Sequence, residues 1–176
     1  MQARAKRGYA VSEKTTLSLW GRYAPLGLVL IAVVFGIDQA HKWWMLTVYN
    51  IANIQPVQIT PFFDLMLVWN TGVSYGWLKS FGPWWLIIGQ LLISLLLWLW
   101  MAGSRDRLNI IAMSLIIGGA LGNVADRIIY GAVADFFHLH AYGFSWYVFN
   151  IADMAIVAGA AIIVYGSLRE IRQKTP

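Results

Sequence analysis

Four runs of about twenty apolar residues dominate the chain, separated by stretches where polar and turn-forming residues crowd together. They cover residues 24–46, 83–102, 108–130 and 148–168. At ~1.5 Å of rise per residue, ~20 residues cross the ~30 Å hydrocarbon core of a bilayer, so each run predicts a transmembrane helix. The second opens with Pro83, which suits a first helical turn, and carries Trp84, Trp85, Trp98 and Trp100 at its two ends, as an interfacial belt would. Between the first two runs, residues 47–82 break the helical pattern with Pro56, Pro61 and three glycines. They also hold the β-rich pieces Val57–Thr60 and Phe63–Trp69. The predicted fold is an all-α membrane protein: four transmembrane helices with a small β-rich cradle on the outer membrane surface between spans one and two. Residues 23–168 form one integral-membrane unit, flanked by a basic tail (1–22) and a short C-terminal tail (169–176).

Charge sets the expected orientation. Arg4, Lys6, Arg7, Lys14 and Arg22 precede the first span, Arg105 and Arg107 join the second to the third, and Arg169, Arg172 and Lys174 follow the fourth. Ten of the thirteen Lys and Arg thus fall on one side, against Lys42, Lys79 and Arg127 on the other. By the positive-inside rule both termini are cytoplasmic. The net charge of +5 is a topology signal, and no nucleic-acid partner is expected. The first run is long, carries Asp38 and Lys42, and has no small-x-small site after it, so a cleaved signal peptide is not expected. There is no cysteine, which removes disulfides, thiolate-bound metals and a cysteine nucleophile.

Four of the eight acidic residues sit where acids are costly: Asp38, Asp126, Asp135 and Asp153, in or beside the spans. An ionisable group at the centre of a transmembrane helix costs ~2.5–3.5 kcal/mol on insertion scales, which makes these positions the default functional site. On span three, Gly118 and Gly122 have the spacing that lets a neighbouring helix approach closely. Gly119, Asn123, Asp126 and Arg127 share a face of that helix. Packing accounts for the glycines; a local Asp126–Arg127 ion pair is the plain reading of the charges, but three strong polar groups together point to a site. Asp135 lies between apolar residues at the membrane rim. Asn150 can cap span four, with Asp153 in its first turn. The small residues Ala155, Ala158, Gly159, Ala160 and Ala161 would let span four pack against span three and bring Asp153 beside Asp135 and Asn123. Asp38 and Lys42 read as a helix pair with a supporting role, and His41 as interfacial packing. His138 and His140, one residue apart with no third ligand in sight, do not make a metal site on the pattern alone. Asn70-Thr71-Gly72 reads as a turn whose amide can also bind a peptide backbone.

These pieces together resemble the lipoprotein signal peptidase (signal peptidase II) family. The matching stretches are Asp38-Gln39-x-x-Lys42, Asn70-x-Gly72, Gly118-Gly119-x-x-Gly122-Asn123-x-x-Asp126-Arg127, Val133-x-Asp135-Phe136 and Phe149-Asn150-x-Ala152-Asp153. They occur in the family's order and span nearly all of the chain beyond its N-terminal tail. The chain departs from the family's habit at Val73-Ser74-Tyr75, Ala134 and His41. The resemblance implies a bacterial inner-membrane aspartic endopeptidase. It would have a periplasm-facing site, and its substrates would be prolipoproteins cut before a diacylglyceryl-modified cysteine. It implies no metal and no cofactor, and inhibition by globomycin. Asp135 and Asp153 match the catalytic pair; Asn70, Asn123, Asp126, Arg127 and Asn150 match site-lining residues. Gly72, Gly119, Ala152, Asp38 and Lys42 belong to the same motifs.

Two carboxyls in one low-dielectric site share a proton, and such a pair can hydrolyse an amide with water and no covalent intermediate. A proton-coupled carrier using the acids as a relay is the main rival, and a non-enzymatic scaffold or quinone-binding subunit the second. A carrier would spread its acids through the midplane and show repeats, and neither is seen.

Overall fold

The computed structural model describes residues 19–72 and 82–174. The N-terminal basic tail with Arg4, Lys6, Arg7 and Lys14, and the stretch holding Val73–Tyr75 and Lys79, lie outside the described residues.

Among the described residues, four helices are long and apolar enough to cross a membrane. Helix α1 runs Ala24–Trp43, with Pro25 in its first turn, and continues as a π-helical turn over Trp44–Val48. Helix α2 runs Trp84–Gly103 after Pro83. Helix α3 runs Arg107–Tyr130; Asp106 caps it by accepting from the Leu108 N–H, and Gly131, at φ +75°, ends it in the left-handed conformation that favours glycine. Helix α4 runs Ile151–Lys174, past the expected end at 168. Helix α3 is the most enclosed of the four and packs against all the others.

Small residues set how closely these helices meet. A side chain on Gly118 would collide with Val34 and the Ile31 carbonyl of α1, and one on Gly122 with the Asp38 carboxylate. Gly119 faces the other way: a Cβ there would lie 2.4 Å from the Ala152 carbonyl oxygen of α4. Gly159 makes the reciprocal approach, with a Cβ 2.5 Å from the Ala112 carbonyl oxygen. The expected packing of α4 on α3 is therefore present, but only part of the small-residue stripe makes it. Gly159 is buried and Ala155 half-buried, whereas Ala158, Ala160 and Ala161 face outward. Gly119→Ala should cost about 1–3 kcal/mol by overpacking and shift the first turn of α4. A thermal melt of the purified variant checks this, with Gly166→Ala, where a Cβ meets nothing within 4 Å, as a control that should keep or slightly raise its melting temperature.

The sheet is larger than the sequence pattern predicts. Strands β1 (Val57–Thr60) and β2 (Phe63–Asn70) occupy the two expected pieces between α1 and α2. Two more, β3 (Val133–Ala141) and β4 (Phe144–Phe149), come from between α3 and α4. They form one antiparallel sheet in the order β1-β2-β3-β4. The cradle placed between spans one and two alone is corrected accordingly, and Val148 and Phe149, expected at the start of span four, belong to β4. Phe136 and Ala134 on β3 pack with Met45 and Ile51 to seat the sheet on the end of α1. His41 packs there too, against the rings of Phe136 and Phe137. Because α1 and α3 lead into the sheet and α2 and α4 leave it, the sheet crowns one end of the bundle. Arg22 and Arg107, both over the Tyr23 ring, lie at the opposite end.

Candidate active site

Strand alternation and helix capping together bring the two acids to one asparagine, Asn150. Side chains on a strand alternate between faces. Ala134 and Phe136 point into the core under the sheet, so Asp135, Phe137 and Leu139 share the opposite face. Asp135 is nonetheless buried, 1% exposed, because α4 begins directly beside it. Asn150 and Asp153 form a reciprocal cap at that helix start: the Asp153 N–H donates to Asn150 Oδ1 (2.9 Å) and the Asn150 N–H to Asp153 Oδ2 (3.3 Å). The Asn150 amide then reaches back to Asp135 Oδ1 at 2.6 Å. One residue thus caps α4 and links the two carboxyls.

Each carboxyl is held at both oxygens. Asp135 also accepts from Asn70 Nδ2 at Oδ2 (3.0 Å), and Asp153 accepts from Asn123 Nδ2 at Oδ1 (2.8 Å). Asn123 Oδ1 in turn accepts from Asn150 Nδ2 (3.1 Å), closing a network across α3, β3 and α4. Asn70 is positioned by its own turn, in which the Gly72 N–H donates to Asn70 Oδ1 (2.8 Å). Gly72 has φ +72° and no room for a side chain beside Leu86. Burial, and then the negative charge of Asp153, push the Asp135 carboxyl up to about 7, against the opposing pull of the Asn70 and Asn150 amides.

The other two intramembrane acids do a different job. Lys42 bridges Asp38 and Asp126, 2.8 Å from each, with all three side chains buried. Its remaining proton goes to Asn123 Oδ1 at 3.3 Å. Asp38 Oδ1 accepts from the Ala152 N–H (2.9 Å), one of the first-turn amides of α4 that has no partner within its own helix. Asp126 Oδ2 accepts from the Ala134 N–H (3.0 Å), fixing β3 immediately before Asp135. The triad therefore positions both elements that carry the site. The simple Asp126–Arg127 pair does not form: Arg127 turns toward α2, where it donates to Gln90 Oε1 (2.9 Å). Two glutamines, Gln39 and Gln90, complete these contacts. Gln39 donates to Asp126 Oδ1 (3.0 Å) and stabilises the triad. The signal for both is an uncharged polar side chain inside an apolar run.

Beside Asp153 opens an apolar groove of about 460 Å³, lined by Leu139, Trp146, Phe149, Met154, Val157 and Ala161 among others. Among the described residues, Asp153 is the only acid on its wall.

The sequence profile described as Signal peptidase (SPase) II matches residues 30–169. The chain belongs to the signal peptidase II family. It is 47% identical over 161 residues to a lipoprotein signal peptidase of Nitrobacter hamburgensis, covering 85% of this chain and 96% of that protein. A lipoprotein signal peptidase of Methylocella silvestris is 45% identical over 152 residues, covering 84% and 88%. Two solved bacterial membrane enzymes share the fold. One, at 2.3 Å resolution, has a TM-score of 0.73 with 23% identity over 89% of this chain and 95% of its own. The other, at 1.9 Å, has 0.69 with 25% identity over 87% and 97%. As a signal peptidase II, the chain is a peptidase and a multi-pass bacterial membrane protein.

Proposed function

We propose that this signal peptidase II removes the signal peptide from prolipoproteins, cutting before the diacylglyceryl-modified cysteine with Asp135 and Asp153 as its two catalytic acids. The observation that carries this reading is the pair itself. Two carboxyls on separate elements are joined through Asn150 at the head of an apolar groove. The groove accepts the lipid's acyl chains from the membrane while the scissile amide lies against the acids. The site faces the periplasm, and both termini are cytoplasmic: the described basic residues Arg22, Arg105, Arg107, Arg169 and Arg172 cluster at or beyond the helix ends away from the sheet.

The chemistry follows from one shared proton. The ionised acid takes a proton from water, and the resulting oxygen attacks the scissile carbonyl. The protonated acid gives its proton to the carbonyl oxygen, forming a tetrahedral diol. Collapse of the diol returns a proton to the leaving amine as the C–N bond breaks. All four carboxyl oxygens already accept an N–H, so the network holds both acids without committing the proton to either one. Asn70, Asn123 and Asn150 orient the pair; Asp38, Lys42 and Asp126 hold the elements that carry it. Gly119 and Ala152 set the close contact of α3 with α4, and Gly72 and Arg127 lie together beside α2.

The test is cleavage of a synthetic precursor by the purified protein, with and without the diacylglyceryl group, across a pH series. Cleavage should need the lipid and stop with globomycin. With the Asp135 carboxyl raised to about 7, the pair keeps its proton up to neutral pH. Activity should therefore fall as pH rises through about 7, when the second carboxyl ionises, and fall again in acid when both are protonated. Equal cleavage of the unlipidated peptide would refute the substrate assignment. A rate that keeps climbing well above pH 8 would refute the shared proton.

A further inference from the structure

The sequence places two histidines one residue apart on β3 without a third ligand; the sheet supplies one. Asp64 on β2 pairs directly with His138 on β3, so the two side chains share a face, and His140 follows two residues on, on that same face. Asp64 Oδ2 lies 2.9 Å from His140 Nε2 and 3.5 Å from His138 Nδ1, and the three donor atoms fall within 4.8 Å of one another. We infer that Asp64, His138 and His140 form a binding site for a divalent first-row transition-metal cation, zinc foremost.

Four observations support it. The chemistry of the set is right: two imidazoles and a carboxylate suit zinc, with a fourth position left to water. The spacing is right. Four ligands at ~2.0–2.1 Å in a tetrahedron stand ~3.3–3.4 Å apart, and the two distances from Asp64 bracket that value. The two ring nitrogens nearest Asp64 are shielded from solvent yet make no hydrogen bond, despite their closeness to the carboxylate. Finally, the second nitrogen of His138 is already occupied. Ser145 on β4 gives its hydroxyl proton to the Trp146 carbonyl (3.4 Å). Its oxygen lies 2.6 Å from His138 Nε2 and accepts from it in the tautomer that carries the ring proton there. That tautomer puts the His138 lone pair on Nδ1, facing Asp64. A hydrogen bond on the far nitrogen that orients the near one is how metal-ligating histidines are usually held.

The ion would staple β2 to β3, three residues along the strand from Asp135. The site takes no part in the peptide chemistry, and the inference stands or falls apart from the proposed function.

The experiment uses the full-length protein, purified in detergent without a histidine tag and stripped of metal with a chelator. Titration with Zn²⁺ should show one saturable site per chain and a melting temperature that climbs with Zn²⁺ concentration. Co²⁺ should give a visible absorption band of the tetrahedral type, bleached by Zn²⁺. His138→Ala, His140→Ala and Asp64→Asn should each weaken Zn²⁺ binding at least tenfold, and Ser145→Ala should weaken it by less. Absence of saturable binding, or unchanged binding in the His138→Ala/His140→Ala double variant, overturns the site. The wild-type Co²⁺ spectrum tests the site without any variant: an octahedral, water-like spectrum at saturating Co²⁺ also rejects it.

Discussion

Asp135→Asn and Asp153→Asn are each expected to lower the rate of precursor cleavage by about 10²–10⁴-fold or more, the scale of a lost general acid or base, while the protein still inserts and folds. Asparagine matches aspartate in shape but can neither take a proton from water nor deliver one to the carbonyl oxygen. The asparagine keeps one of the two accepted hydrogen bonds and sets its NH2 against a donor at the other, a loss of about 1–3 kcal/mol that lowers the melting temperature without abolishing the fold. Stability separates this from simple damage. The Asp135 carboxyl is raised to about 7 in the folded chain, above its unfolded value. Its ionisation therefore weakens the fold as pH rises from about 4 to about 7. Asp135→Asn removes that ionisation, so its melting temperature should vary less with pH over this window than the wild type's. Wild-type cleavage in either variant would end the dyad assignment.

Lys42→Met should be the most damaging single change to the fold. Methionine fills similar space but leaves Asp38 and Asp126 buried with no cation between them. Removing one partner of a buried ion pair costs ~3–5 kcal/mol, because the stranded charge stays out of water. The loss spreads to the site. Asp38 holds the first turn of α4 through the Ala152 N–H, Asp126 holds β3 through the Ala134 N–H, and Lys42 itself steadies Asn123. Thermal denaturation of purified Lys42→Met should show the drop, and Lys42→Met/Asp38→Asn should recover part of it by removing one stranded charge. A melting temperature equal to the wild type's would mean the triad does not hold the bundle together.

The chain's local patterns carried a good deal of this. Spans of about twenty apolar residues announce helices because the bilayer sets that length, whatever the helices pack against. The spacing of Gly118 and Gly122 announces close contacts because no other residue lets backbones approach so far. Asp135 and Asp153 stood out because acids beside a membrane are costly enough to need a reason. The Asn150–Asp153 cap was visible because its two halves lie three residues apart.

What only the folded chain decided is pairing across distance. Strands β3 and β4 join a sheet begun some seventy residues earlier, and their composition does not distinguish them from the start of a span. The spacing of Asp38 and Lys42 shows a helix pair, yet the second carboxylate on that lysine comes from α3, 84 residues further along. Arg127 looks like the partner of its neighbour Asp126 and instead turns to Gln90. Asp64 stands alone in the sequence and meets two histidines only through strand register. The physical reason is the same in each case. Helix length, capping and close approach are set by bonds and neighbours within a few residues. Which buried charge finds which partner depends on how whole elements pack, because an unpaired charge in that interior is too costly to leave and accepts whichever partner the packing presents.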